Sequence, residues 1–372
     1  MDAPRLRYNA RVPRRAIPAL FAAVAIFVAL AAWAVLLTRT TSDESSRGPV
    51  VQAPASIGSV AYAIPDRGLD TVYVRRVGAA TGEAVAIASF PYLFAHLRGS
   101  ASPTGSHLAV VHLDTPGRNA RLSLLTVASR EVRDVDGEFD YLSAMAWRRD
   151  GSQLAVVRSV AGAPGEPPPS TSVAQVDVQT GETVEVARFE SALEVVPVGY
   201  SLGGDRLFIV VLGQSGSSLW EQHAGKLRRL AILSPGPTRH WSMSPDSSRL
   251  AFVARLGLGE RTYAGRVVVI ATGAISDAAR SGDQLGSAWR PGSPVPDFGG
   301  PGGSLQLTDA PPGGYVVPMQ WAPDGSSLVV ATYVGNGATA SAPAFEIVTP
   351  TTRVKLAEAE TVLFLGYVGN IE

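Results

Sequence analysis

From position 57 onward the apolar residues come in short runs, not in helical stripes. Leu108–Val111, Leu154–Val157, Leu207–Val211, Leu250–Val253 and Leu328–Val330 are apolar at every position. A run of that length without alternation reads as a strand covered on both faces. Other stretches alternate. Val173–Val178 is followed by Gln-Thr-Gly-Glu and then by Thr183–Ala187, the pattern of a hairpin with a glycine-containing turn. Val72–Val77 and Ala84–Ser89 flank Thr81-Gly82-Glu83 in the same way, and Val267–Ile270 precedes Thr272-Gly273. No stretch after residue 40 sustains a 3.6-residue apolar period, so the pattern predicts strands and no second, helical domain.

The fully apolar runs share a preface. Trp321-Ala-Pro-Asp-Gly-Ser-Ser-Leu-Val-Val and Trp147-Arg-Arg-Asp-Gly-Ser-Gln-Leu-Ala-Val-Val are its clearest copies. Copies starting at Met243 and Ala101, a worn copy at Tyr200 and a fragment at Trp289 complete the set. The turn positions Pro103, Arg149, Leu202, Pro245, Pro291 and Pro323 are spaced 46, 53, 43, 46 and 32 residues apart. Propeller blades repeat at roughly 40–50 residues. In each unit an aromatic ends one strand, Pro fixes φ, Asp-Gly-Ser reverses the chain, and an apolar strand follows. Adding the hairpin makes about four strands per unit.

The two ends complement one another. Val362–Val368 resembles a first strand with no turn after it, and Ser59–Ile64 a second strand with no first. Pairing them closes a ring and removes its exposed edges. The expected fold is therefore an all-β single propeller over residues 57–368, with seven blades. The count is six if the nearly strandless residues 291–303 are an insertion.

Ahead of the repeats, residues 16–38 carry no charge over 23 positions. About 20 apolar residues are enough for a helix to cross a bilayer. Arg5, Arg7, Arg11, Arg14 and Arg15 precede the run, opposed only by Asp2. The cationic side stays in the cytoplasm. The expected organisation is a basic cytoplasmic tail over 1–15, a single-pass transmembrane helix over 16–38, and a linker over 39–56. The propeller then lies outside the cell (inner) membrane. Ala32-Trp33-Ala34 also suits signal cleavage, but the apolar run exceeds an ordinary signal core and continues past that site.

Composition narrows the function classes. Lys+Arg and Asp+Glu are 32 each, so the chain has no basic excess with which to coat a nucleic acid. Cys is absent, which excludes disulfides, thiolate metal sites and a thiol nucleophile. Gly 38 and Pro 27 fit a turn-rich chain.

The repeated Trp/Met-x-Pro-Asp-Gly-Ser-x-Leu-Ala-Val units resemble the WD-like propeller repeats of the periplasmic TolB type, over roughly residues 57 to 368. The resemblance implies a propeller outside the inner membrane that works through protein–protein contacts. TolB-type proteins carry a small α/β domain ahead of the propeller, which is not read in this chain, so their particular partners are not carried over. Propellers of prolyl-oligopeptidase-type enzymes use the same repeats, together with a hydrolase domain not read here.

Candidate chemistry is sparse. Gly199-Tyr200-Ser201-Leu202-Gly203 matches a nucleophile elbow, which needs a helix after it; a strand pattern, Asp205–Leu212, follows instead. Asp134, Asp136, Glu138 and Asp140 could offer oxygens to calcium, but the EF-hand spacing fails, and a solvated turn between blades is expected. The histidines are His96, His107, His112, His223 and His240. His107 and His112, five apart on one strand, face opposite sides. All five are expected as surface or packing residues. Ala161–Ser170 is a proline-rich extended loop. Arg148-Arg149 and Arg228-Arg229 are expected as solvated pairs. No catalytic, cofactor-binding or metal-ligating residue is assigned, and no cofactor is expected. The expected function is binding of a protein or cell-envelope component. The alternative is an enzyme or small-ligand binder that uses the central channel mouth, marked by convergent carboxylates and a histidine in the funnel.

Overall fold

The computed structural model describes residues 57–78, 83–93, 95–113, 119–159, 170–256, 263–278, 285–300, 310–335 and 342–371. The tail, the predicted span over 16–38, the linker and almost all of the proline-rich loop lie outside the described residues. No helix among the described residues is long and apolar enough to cross a membrane.

Every regular element among them is a strand. β1 (Ile57–Asp66), β2 (Leu69–Arg76) and β3 (Val85–Pro91) open the chain. The second blade is β4 (Arg98–Ala101), β5 (His107–His112), β6 (Asn119–Thr126) and β7 (Val132–Asp140). The third is β8 (Ala146–Trp147), β9 (Gln153–Ser159), β10 (Ser170–Asp177) and β11 (Thr183–Glu190). The fourth is β12 (Glu194–Tyr200), β13 (Arg206–Gly213), β14 (Gly216–His223) and β15 (Lys226–Ser234). The fifth is β16 (Thr238–Met243), β17 (Arg249–Arg255), β18 (Tyr263–Val269) and β19 (Ile275–Asp277). After a two-stranded sheet, β20 (Leu285–Ala288) and β21 (Asp297–Gly299), comes the last blade. It is β22 (Tyr315–Trp321), β23 (Leu328–Tyr333), β24 (Ala344–Val348) and β25 (Arg353–Lys355). β26 (Leu363–Gly369) returns to pair with β1 and completes the first blade in the order β26-β1-β2-β3. The register pairs Val60 with Tyr367 and Tyr62 with Phe364. The two ends of the repeat region therefore share one blade, as their complementary patterns require.

Six blades of four strands form the propeller, the lower of the two expected counts. The turn unit at Trp289 builds only two strands among the described residues. Its second half reads PGSPVPDFGG, where three prolines remove ladder donors and leave little to pair. The short sheet still fills a sector. Trp289 and Phe298 pack on Ala251 and Val253 of the fifth blade. Ala288 packs on Val316 and Val330 of the last. Comparable apolar layers separate the other neighbours, ending with Val60 and Tyr62 against Val329 and Ala331. Each apolar run is covered on both faces because it is the second strand of a blade with a blade on either side. Outermost strands are exposed, as in β19.

The turn chemistry explains the repeat. Asp150, Asp246 and Asp324 each accept the backbone N–H of the serine two residues on, at 3.0, 3.1 and 2.9 Å. Ser326 also donates its hydroxyl to Asp324, and these bonds hold that carboxyl below its ordinary pKa. The next residue takes positive φ: Gly151 +72°, Gly325 +71°, and Ser247 +55° in the copy that lacks glycine. A side chain there costs about 1 kcal/mol. Ser247→Gly is therefore expected to stabilise the chain by about 1 kcal/mol in urea titration, and a lower midpoint would contradict this reading of the repeat. Where the residue before the turn is tryptophan, it ties its sheet to the preceding one. Trp147 Nε1 donates to Ser100 O at 3.3 Å, and Trp289 Nε1 to Ser242 O at 2.9 Å.

One expectation needs correction. The acidic string is not a turn between blades but part of β7, an outermost strand. An outer edge leaves one side in water, so Asp134, Asp136 and Glu138 cost little there. Asp134 accepts the Ser123 hydroxyl at 2.6 Å, and Asp140 accepts Leu142 N–H at 2.9 Å.

Candidate binding surface on the loop face

Antiparallel blades sort their connections onto two faces. The Pro-Asp-Gly-Ser turns lie on one, the turn face. The opposite loop face carries the links between second and third strands and those from each outermost strand to the next innermost one.

On the turn face, contacts join the turns of different blades, with two cavities between them, one against Asp246 and Trp289 and one against His107 and Arg133. Gly369 N–H donates to Gly105 O at 2.9 Å, joining the chain's last strand to the second blade's turn. A Cβ at Gly204 would lie 2.3 Å from Arg148 Nε, so successive turns touch. Arg149 donates to Pro245 O at 2.8 Å, reaching from the third blade's turn to the fifth's. The Arg148-Arg149 pair thus builds this collar and is not merely solvated. A Cβ at Gly105 would meet Ile57 at 3.1 Å, so β1 begins on this face.

The channel wall is formed by β4, β8, β12, β16, β20, β22 and β26. These strands contain one histidine, His240, and one carboxylate, Glu194. His240 lies in a bulge of β16 with φ +55°. Its Nδ1 accepts Gly286 N–H at 2.8 Å, so a neutral ring carries its proton on Nε2. His240 is exposed by area, yet the protein atoms around its ring desolvate it, and this desolvation, then the neighbouring Arg239 charge, pushes its pKa down to about 4. Met319 and Gln320 are exposed on β22. Among the described residues no group of three or more His, Asp or Glu is placed to hold a metal.

The loop face presents a different surface around the second to fourth blades. Three successive connections leading to innermost strands each expose a leucine. Leu93 precedes β4, Leu142 precedes β8 and Leu193 precedes β12, at 57%, 51% and 54% exposure. Arg98 Nη1 donates to Leu142 O at 2.8 Å, and Ser143 Oγ donates to Val195 O at 2.9 Å. These bonds tie the three connections into one arc. Beside Leu93, His96 Nδ1 lies 3.0 Å from the Oδ1 of fully buried Asp70, whose Oδ2 accepts Leu97 N–H at 2.6 Å. Tyr92 stacks on the imidazole with ring centres 4.0 Å apart. Tyr141 donates its hydroxyl to His96 O at 2.6 Å.

The other sequence candidates find structural places. Ser201 donates to Asp205 Oδ1 at 2.7 Å and accepts Arg206 N–H at 3.1 Å. Ser244 does the same with Asp246 and Arg249 N–H, so Ser201 is the repeat's turn serine, followed by strand β13. Tyr200, in the repeat's aromatic position, is pushed up to about 12 by burial. His107 and His112 sit at the two ends of β5, His112 buried 5.4 Å from the Phe90 ring and His107 beside Ser106. His223 Nδ1 meets Asp205 O at 3.0 Å. Arg228 pairs with the buried carboxylate Glu221. The sequence offers His96 only as one of five histidines expected at the surface or in packing. Its partner Asp70 lies 26 residues earlier, and no local spacing joins the two.

No protein-family model matches the chain, and no curated protein matches it. Several solved structures do. TolB from Acinetobacter baumannii aligns with TM-score 0.53 at 13% identity, over 84% of this chain and 67% of that one. An oligogalacturonate lyase in complex with manganese gives 0.53 at 15%, over 75% and 82%. A prolyl endopeptidase gives 0.53 at 13%, over 85% of this chain and 51% of its own, so the present chain spans about half of that enzyme. At such identities the likeness is one of fold. The chain folds as a β-propeller of the TolB type.

Proposed function

We propose that this chain is a membrane-anchored, extracytoplasmic binding module that engages a protein or cell-envelope component through its loop face. The observation that carries the reading is the hydrogen-bonded arc of Leu93, Leu142 and Leu193. Large apolar side chains left in water on three successive, tied connections mark an interaction surface. The uncharged run over 16–38 and its arginine-rich flank support the anchor.

The test is quantitative affinity capture from detergent-solubilised membranes of the producing cells. The triple variant Leu93→Ser, Leu142→Ser, Leu193→Ser is expected to lose a partner that wild type retains, by at least about tenfold. A control altered on outermost strands, Val132→Ser with Val184→Ser, keeps it. Equal retention by both variants removes the loop face from the reading. A second reading, a small-ligand binder or enzyme at the channel mouth, draws support from His96, whose imidazole is oriented by a buried carboxylate as in acid–base sites.

A further inference from the structure

We propose that Tyr92, His96 and Arg98 form a binding site for a carboxylated sugar ring. The inference rests on the loop face being a binding surface and names the chemistry one part of it accepts.

Three observations combine. The first is the state of His96. Asp70 is fully buried, and a carboxylate only accepts hydrogen bonds, so Nδ1 carries the proton toward Oδ1. In the neutral ring this tautomer leaves its lone pair on Nε2, which meets no hydrogen-bond partner among the described residues. That atom accepts a hydroxyl hydrogen. The second is Arg98. One of its terminal nitrogens is held by Leu142 O and Tyr141 O, and its guanidinium lies 5.8 Å from the Tyr141 ring centre. The remaining N–H groups form a fixed donor set of the kind that grips a carboxylate. The third is proximity. Tyr141 donates its hydroxyl to His96 O and its ring lies beside the Arg98 guanidinium, so His96 and Arg98 adjoin one side chain. Residues two apart on an extended chain lie about 7 Å apart.

A ligand that satisfies both groups carries a hydroxyl and a carboxylate across that span. Tyr92, stacked on His96 and exposed, adds an aromatic face whose negative quadrupole attracts polarised C–H bonds. A six-membered sugar acid has all three features: ring C–H faces, hydroxyls and an exocyclic carboxylate. A plain anion uses only Arg98, and a neutral sugar leaves Arg98 without its counter-charge.

Isothermal titration calorimetry of the full chain in detergent micelles, with glucuronate, glucose, acetate and a glucuronate-containing oligosaccharide, tests the site. Glucuronate is expected to bind, with glucose and acetate each weaker by about tenfold or more, the loss of one charge-assisted or hydroxyl contact set. Arg98→Met is expected to abolish the preference over glucose, and His96→Asn to abolish the preference over acetate. Both variants should still unfold in one cooperative transition, at a melting temperature lowered by a few degrees because each loses a hydrogen bond of the fold. Tighter binding of the oligosaccharide assigns the site to an acidic glycan, and equal binding to free sugar acid; either supports the proposal. Absence of glucuronate binding, equal binding of acetate, or unchanged selectivity in both variants overturns it. If the leucine variants still lose a captured partner, the loop face stands as a binding surface and only this ligand assignment fails.

Discussion

Deleting residues 363–372 is expected to abolish cooperative unfolding. Those residues supply β26, the innermost strand of a blade whose other three strands come from the opposite end of the repeat region. Without it, the edge of β1 loses its ladder from Ile57 to Ala63. Leu365, Tyr367 and Val368 leave sites in which they are at most 3% exposed. Each such side chain contributes about 1.5–3 kcal/mol by burial, so the three contribute roughly 5–9 kcal/mol. The total stability of a folded chain is only about 5–15 kcal/mol. The ring also opens, because Leu365 and Val368 pack against the second blade while Tyr367 packs against the last. Tryptophan fluorescence in a urea titration of the full chain and the truncated one distinguishes the cases. A truncated chain with the wild-type midpoint would mean the closure is dispensable.

Arg75→Met is expected to destabilise the chain by about 3 kcal/mol, since a buried polar group stripped of its partner costs about 1–3 kcal/mol. Arg75 lies on β2 at 1% exposure. Its Nη1 donates to Lys355 O at 2.7 Å and to Leu356 O at 2.9 Å, fastening the first blade to the end of the last. Methionine refills part of the volume but satisfies neither carbonyl. The exposed neighbour supplies the control: Arg76→Met is expected to stay within about 0.5 kcal/mol of wild type. Equal effects of the two substitutions would deny Arg75 its fastening role.

Much of this architecture could be read from the residues because each blade is local. A turn serine, an aspartate and a residue able to take positive φ sit within a few positions of one another, and an apolar run follows. That spacing marked the units at Trp147, Met243 and Trp321 and located Ser201 in its turn despite the elbow motif. Complementary half-blades at Ser59–Ile64 and Val362–Val368 announced the closure. Reading failed where the determinant was an edge. Acidic residues on β7 look like a turn when only the string Asp134–Asp140 is considered. Their strand exists because β6 lies beside it and water covers the other side. The shortfall at Trp289 was visible as prolines, yet only packing showed that the short sheet of described residues lies between the fifth and last blades.

The binding surface belongs to the other category. Leu93, Leu142 and Leu193 are unremarked leucines about 50 residues apart along the chain, and nothing in their neighbourhoods sets them off from core positions. They became one arc when successive blades placed equivalent connections side by side and Arg98 and Ser143 tied them together. Asp70 and His96 met for the same reason. Local pattern therefore determined the strands, the turns and the pairing of the ends, since these depend on contacts a few residues apart or on matched hydrophobic runs. Tertiary structure alone decided which polar and apolar side chains share a surface, because that depends on how one sheet is laid against the next.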